Sequence, residues 1–185
     1  MTDILNVDAS AVPSVRTEVT RTYLELTRPE GLVAAPCPEP GYRVEVVSRC
    51  PASFYRFLYA EVGRAYHWVD RIAWTDEAIV AHLDRDEISL HVLYGHGAPA
   101  GYFELRRCED GSNEIAYFGL LPEFLGRGLG KYLLTCAARE AFQTAGRVWL
   151  HTCTLDDPAA LPNYESRGFR PFRKEKYWTD LPAQT

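Results

Sequence analysis

Residues Glu114–Leu134, with the sequence EIAYFGLLPEFLGRGLGKYLL, decide the fold of this chain. The short apolar run Ile115–Leu120 is typical of a buried strand, and its alternation predicts that Ile115 and Tyr117 share one face. Pro122 ends the strand, and a run with helical spacing follows the turn. Between them, three glycines stand at every second position: Gly126, Gly128 and Gly130. The predicted order is therefore strand, glycine loop, helix.

A helix that begins in a glycine loop is suited to binding phosphate. Its first N–H groups are unpaired, and they point to one place together with the positive end of the helix dipole. Two well-known phosphate loops do not fit: a Walker loop requires glycine at Leu125 and Ser or Thr at Tyr132. A dinucleotide fingerprint requires a third glycine where Lys131 or Leu133 stands. An alternative without a ligand is a glycine turn that lets the helix pack closely on the sheet.

The spacing resembles the pyrophosphate loop of the GNAT superfamily of acyl-CoA-dependent N-acetyltransferases, which reads Gln/Arg-x-x-Gly-x-Gly/Ala between a strand and a helix. The match is Leu125–Gly130, with Leu125 in place of the polar first residue and Arg127 as another source of charge. A second segment, Asp157–Phe169, is similar to the family's Asn-x-x-Ala-x-x-x-Tyr-x-x-x-Gly-Phe, although Asp157 stands where Asn is common. Its matching residues are Tyr164, Gly168 and Phe169.

The resemblance implies an α/β fold with one acetyltransferase-like domain over residues 16–185. This domain would have a mixed, mostly antiparallel twisted sheet, a parallel crossover at the glycine-loop helix, and helices on both faces. Residues 1–15 are expected to form a flexible N-terminal tail. The implied acyl donor is acetyl-CoA, without a metal. The implied coenzyme-binding residues are Phe118, Gly119, Leu120, Leu121, Leu125, Gly126, Arg127, Gly128, Leu129, Gly130, Lys131 and Asn163.

Transfer of an acetyl group to an amine requires a neutral nucleophile. An amine with a pKa near 10.4 must therefore lose a proton at pH 7. The resemblance implies Glu114 as the base, at the distance before the glycines where the histone-modifying branch of the family has its base; a water chain is the alternative. It also implies a backbone N–H near Phe118–Leu120 for the thioester oxygen, and Tyr164 as proton donor to the departing thiolate. The alternatives without a catalytic role are a solvated carboxylate for Glu114 and a tyrosine packed at a helix end for Tyr164.

The rest of the chain predicts further regular elements around this motif. Trp68 and Asp70 lie in an aromatic segment between the first two helices, and they are candidates for recognising an amine. Core packing is the alternative for these aromatic side chains. Strands are predicted at Thr20–Leu26, Tyr42–Val47, Glu87–Tyr94, Ala100–Arg107, Val148–Thr154 and Phe169–Trp178. Helices are predicted from Ser53, from Thr75, from the glycine loop to about Ala145, and from Asp157.

Composition limits the classes of function. The chain has 185 residues, of which 46% are hydrophobic, and this is enough for one domain with a full core. A net charge of −5 argues against nucleic acid and anionic membranes as partners and suits an amine. Without a membrane-length apolar stretch or a signal peptide, the cytoplasm is expected. Five cysteines without a Cys-x-x-Cys spacing and five scattered histidines do not predict a metal site.

Two functions remain open at this stage. The first is an N-acetyltransferase that moves an acetyl group from acetyl-CoA to a primary amine by direct attack in a ternary complex. The second is a catalytically weak or inactive CoA-binding sensor or scaffold. This alternative remains because Leu125 and Asp157 differ from the family's pattern. The acceptor would be a small-molecule or peptide amine. The sequence does not fix its identity, the acyl length of the donor or the oligomeric state, and a homodimer is among the alternatives.

Overall fold

A computed structural model describes residues 14–182 of the chain. The predicted tail lies outside the described residues except for Ser14 and Val15, which form the start of the first strand. The strands are β1 Ser14–Leu26, β2 Tyr42–Val46, β3 Ile88–Gly95, β4 Ala98–Arg107, β5 Asn113–Leu120, β6 Val148–Cys153 and β7 Arg170–Pro182. The helices are α1 Ala52–Gly63, α2 Asp76–Leu83, α3 Leu129–Phe142 and α4 Ala160–Ser166.

These strands form one sheet in the order β2-β3-β4-β5-β6-β1-β7. Every neighbouring pair is antiparallel except β5 and β6, which are parallel and are connected through α3. The mixed, mostly antiparallel sheet with one parallel crossover is therefore confirmed. The place of β1, between β6 and β7, was not predicted.

The helices cover both faces of the sheet, as predicted. On one face, α3 buries a stripe that repeats every three to four residues and includes Leu129, Leu133 and Ala137. On the other face, α1 packs Tyr55 and Leu58 into a separate core with α2. None of the helices within residues 14–182 is long and apolar enough to span a membrane.

A β-bulge in β5 changes which residues share a face. Glu104 of β4 pairs with Tyr117, whereas the next residue, Leu105, pairs with Ile115, so Ala116 is an extra residue in β5. Ile115 packs in the α3 core, and Tyr117 packs in the α1 core. The prediction that these two side chains share a face was wrong, because one inserted residue reverses a two-residue alternation.

The parallel strands β5 and β6 pair over a very short distance. Their register contains only Asn113 with Val148 and Glu114 with Trp149. Beyond Glu114, β5 stays paired with β4 while β6 stays paired with β1, so the two strands separate. The sheet is therefore open between them on the side where the glycine loop lies.

Candidate active site

A cleft of about 1080 Å³ occupies the gap between β5 and β6. It extends from the glycine loop, along both separated strands, to the loop between α1 and α2. Most of the predicted site residues line it: Trp68, Asp70, Glu114, Phe118, Gly119, Leu120, Leu125, Gly126, Gly128, Gly130, Lys131, Asn163 and Tyr164. The fold thus brings together residues from four separate parts of the chain: the loop between α1 and α2, β5, the glycine loop with the start of α3, and α4.

The glycines of the loop are not required for packing. Gly126 and Gly128 have φ angles of +75° and +78°, which favour glycine. A Cβ atom built on Gly126 would meet nothing within 4 Å, and on Gly128 its nearest neighbour would be Pro38 Cβ at 3.9 Å. At Gly130 the nearest atom would be Leu120 Cδ1 at 3.8 Å. The alternative of a tight helix–sheet contact therefore fails, and the space beside the glycines is free.

Five consecutive N–H groups, those of residues 126–130, are free at this helix end. Within residues 14–182, no backbone carbonyl or side chain accepts a hydrogen bond from them. The N–H groups on either side are used internally: Leu125 donates to the Pro122 carbonyl and Lys131 donates to the Gly128 carbonyl, both at 3.2 Å. Because α3 begins at Leu129, the free groups lie at its positive end, where an anion would be stabilised.

Three of the predicted coenzyme-binding residues do not direct a side chain into the cleft. Leu121 packs in the α1 core, and its N–H donates to the Ala100 carbonyl at 3.0 Å. Leu129 is fully buried in the α3 core. The Arg127 guanidinium lies 5.6 Å from the centre of the Phe124 ring. Leu121, Arg127 and Leu129 are therefore absent from the lining of the cleft.

Asn163 and Tyr164 of α4 present polar atoms that lack protein partners. Asn163 Oδ1 is buried and has no hydrogen-bond partner within the described part of the chain. The Tyr164 ring packs edge-on against Phe118 and Phe169, with centroid distances of 6.1 and 6.4 Å. Burial raises the pKa of Tyr164, so its hydroxyl stays protonated at neutral pH. An orphaned acceptor beside an N–H cradle fits a ligand that has both phosphate and amide groups, as acyl-CoA does.

Glu114 lies at the point where β5 and β6 separate, and its side chain is 6% exposed. Its Oε2 forms an ion pair with Arg106 that lacks the alignment of a hydrogen bond, and its Oε1 is 4.0 Å from Nε2 of His151. Burial raises the pKa of Glu114, and the charge of Arg106 offsets this only in part. The result is a carboxylate that is more basic than usual.

His151 of β6 lines the cleft beside Glu114. Burial, together with the charge of Arg21, lowers the pKa of His151 to about 4, so the imidazole is neutral at pH 7. Its side chain is 34% exposed. The neutral imidazole is therefore a weaker base than the Glu114 carboxylate and does not take a proton from it. No sequence pattern distinguishes His151 from the other four histidines.

A buried ionic network, which was not predicted, holds the loop between α1 and α2. Glu104 is fully buried in β4 and accepts hydrogen bonds from Arg71 at 2.7 and 3.0 Å and from Tyr55 at 2.9 Å. His82 Nε2 is 3.0 Å from the same carboxylate. Burial alone would raise the pKa of Glu104, but hydrogen bonds from His82 and Arg71 outweigh it and lower the pKa to about 2. Arg71 thus anchors the loop to the sheet.

The same loop carries the two residues predicted to contact an amine. The Trp68 ring packs against Tyr59 and Tyr117, with centroid distances of 5.6 and 5.0 Å, and it also lines the cleft. Asp70 is exposed at the cleft and makes no ion pair with any other residue in the range 14–182. In the same range, no group of His, Cys, Asp and Glu side chains is arranged to hold a metal ion.

Comparisons with known proteins agree with this architecture. The family model described as "Acetyltransferase (GNAT) family" matches residues 52–169. No curated protein matches the chain.

Three solved structures share the fold. A functionally unknown conserved protein from Staphylococcus epidermidis is 20% identical, with a TM-score of 0.66 over 90% of this chain and 63% of its own. A GCN5-related N-acetyltransferase from Kribbella flavida is 23% identical, with a TM-score of 0.62 over 91% of this chain and 61% of its own. A putative GNAT-family acetyltransferase from Novosphingobium aromaticivorans is 20% identical, with a TM-score of 0.56 over 94% and 68%. The chain thus spans less than two thirds of the length of the first two proteins.

Proposed function

Because this chain belongs to the GNAT family of acetyltransferases, we propose that it transfers an acetyl group from acetyl-CoA to a primary amine. One observation carries the proposal: Gly126, Gly128 and Gly130, whose N–H groups have no acceptor within residues 14–182, line the same cleft as Glu114 and Tyr164. An anion site, a base and a proton donor are thus connected by one continuous space. The acceptor is a small molecule or a peptide.

The coenzyme supplies the acetyl group as a thioester, and residues of the chain hold it. The N–H groups of residues 126–130 bind its diphosphate, helped by the positive end of α3. Asn163 Oδ1 accepts a hydrogen bond from an amide N–H of the pantetheine arm, which removes an unsatisfied polar atom. These contacts orient the acyl end along the separated strands.

Glu114 removes the proton that the amine must lose. The amine attacks directly in a ternary complex: an N–C bond forms, the C–S bond breaks, and the amine proton moves to Glu114, directly or through one water. The raised pKa of Glu114 makes this transfer more favourable than for an exposed carboxylate.

Two further groups stabilise charge during the transfer. Within Phe118–Leu120, the backbone N–H that points away from β4 lies on the edge of β5 that β6 leaves unpaired, and it donates to the carbonyl oxygen as it becomes negative. Tyr164 stays protonated and donates a hydrogen bond from its hydroxyl to the departing sulfur. A thiol with a pKa near 8.5 is already a fair leaving group, so Tyr164 assists the reaction without being indispensable.

The proposal is tested by incubating the protein with acetyl-CoA and a panel of primary amines. Thiol release measures turnover, mass spectrometry identifies the N-acetylated amine, and calorimetry measures acetyl-CoA binding. Turnover with any amine supports the enzyme, and a variant that combines Glu114→Gln with Tyr164→Phe is the inactive control. Tight acetyl-CoA binding without turnover on the whole panel would contradict the catalytic assignment. Absence of binding would contradict the assignment of the glycine loop.

A further inference from the structure

Arg21 of β1 is a cation in the cleft without a counter-ion. Four arginines line the cleft, and three of them pair with a carboxylate: Arg71 with Glu104, Arg106 with Glu114, and Arg85 with Glu87. Arg21 makes no ion pair with any residue in the described range 14–182. Its guanidinium is therefore available to an anion that enters the cleft.

The carboxylate opposite Arg21 in the sheet does not serve as this partner. Glu175 of β7 stands directly opposite Arg21 in the β1–β7 ladder. Its Oε2 accepts a hydrogen bond from the Tyr23 hydroxyl at 2.6 Å, and its Oε1 pairs with Arg173. The Arg21 guanidinium lies instead over the ring of Tyr177, 5.0 Å from its centre, and its Nε is buried without an acceptor. An unpaired buried donor costs free energy, which a bound anion with a suitable oxygen would recover.

Arg21 and Glu114 lie on the same face of the sheet, on either side of His151. Glu114 is level with Trp149 on β6, and Arg21 is level with Cys153 on the same strand. The two backbones are therefore about 10 Å apart across two strand spacings and about 13 Å apart along the strands. A ligand that contacts both side chains must have its amine and its anionic group separated by several bonds.

We propose that the acceptor is a primary amine with a carboxylate several bonds away from the reacting nitrogen, and that Arg21 binds this carboxylate. The inference rests on the proposed acetyl transfer and names the class of its acceptor. A guanidinium fork matches the two oxygens of a carboxylate, and stacking on Tyr177 fixes its plane. The carboxylate belongs either to a free amino acid or to the C-terminus of a peptide, because both present the same group.

The test compares amines that differ only in the carboxylate. The probes are γ-aminobutyrate with butylamine, ε-aminocaproate with hexylamine, and ω-aminocaprylate with octylamine. A tripeptide with a C-terminal lysine, as free acid and as amide, distinguishes the peptide source from the free acid. At the best-fitting length, kcat/KM is expected to be about 10- to 100-fold higher for the acid than for the plain amine, as for a hydrogen-bonded ion pair.

Substitutions at Arg21 determine whether it causes the preference. Arg21→Gln is expected to bring the acid-to-amine ratio of kcat/KM close to one, mainly through KM for the acid. Arg21→Lys keeps the charge without the fork and is expected to retain part of the preference. Arg16→Gln is the matched control, because Arg16 also lies on β1 over an aromatic ring of β7, Trp178, at 5.7 Å, and outside the cleft lining.

Two results would overturn the inference: equal kcat/KM for acid and amine at every length, or a preference that persists in Arg21→Gln. Circular dichroism and acetyl-CoA binding show whether each variant is folded, and Arg21→Lys replaces Arg21→Gln if the latter is not. No turnover with any probe, despite normal acetyl-CoA binding, would contradict the acetyl transfer itself, and the inference would fall with it.

Discussion

Replacing Gly128 with alanine tests whether the glycine loop serves a ligand or the fold. Gly128 has a φ angle of +78°, and an alanine held in this left-handed region costs about 1–2 kcal/mol. No clash adds to this cost, because the nearest atom to the new Cβ is Pro38 Cβ at 3.9 Å. For a domain of this size, the melting temperature should fall by about 2–8 °C.

The effect on acetyl-CoA binding should be much larger than the effect on stability. The new methyl group stands among the free N–H groups of residues 126–130 and keeps phosphate oxygens away from them. If it prevents two charge-assisted hydrogen bonds, each of about 1.5–3 kcal/mol, the affinity falls at least about 100-fold. Calorimetry with acetyl-CoA measures this loss, and thermal melting followed by circular dichroism measures the stability.

Gly111→Ala is the matched control for backbone strain. Gly111, in the turn between β4 and β5, also has a φ angle of +78°, and a Cβ built on it would meet nothing within 4 Å. It does not line the cleft. The two variants should therefore lose similar stability, but only Gly128→Ala should lose affinity. Wild-type affinity in Gly128→Ala, or an equal loss in both variants, would refute the assignment of the loop.

Other substitutions in the cleft have distinct expected outcomes. Glu114→Gln should lower kcat at least about 100-fold, as loss of a general base does. Unchanged turnover would show that another group accepts the proton of the amine. In the wild type, kcat/KM should fall as the pH drops through the raised pKa of Glu114, and Arg106→Gln should move this fall to higher pH, since it removes the charge that lowers the pKa. A pH profile with the two curves superimposed would show that the pair does not control the reaction. Tyr164→Phe should lower kcat about 10- to 100-fold with little change in acetyl-CoA affinity, and an unaltered kcat would remove its hydroxyl from the mechanism. Glu104→Gln should destabilise the fold by about 3–5 kcal/mol, measured by denaturant unfolding, because it leaves Arg71 buried without its charge partner. Since the pKa of Glu104 is lowered to about 2, its contribution is present above the unfolded value near 4.3 and is lost as the pH falls towards 2; a melting temperature that stays constant over this range would contradict it.

Features with local causes could be predicted from the sequence. The Thr75 hydroxyl caps α2 by accepting from the Ala78 N–H at 3.2 Å, and the glycine loop leads into α3 as expected. The ends of elements were less certain: α3 ends at Phe142, where the sequence indicated about Ala145, and β1 begins at Ser14, six residues earlier than predicted. Such signals depend on residues that are close together in the chain.

Features that depend on distant residues could not be predicted. The bulge at Ala116 arises from the register between β4 and β5, and a pattern of apolar residues within β5 does not contain that register. Likewise, Glu104 carries a charge in an apolar strand, but its partners Arg71 and His82 lie in other elements and have no fixed spacing from it. The position of Arg21 in the cleft depends on the pairing of β1 with β6, which the sequence does not indicate.

The position of β1 inside the sheet also affects the order in which the chain can fold. This strand is synthesised before the other strands of the sheet, yet its neighbours β6 and β7 are the last strands of the sheet to be synthesised. Contacts between such distant segments require large loops to close, which slows folding. Until β6 and β7 are made, both edges of β1 lack their partner strands and are open to pairing with other nascent chains.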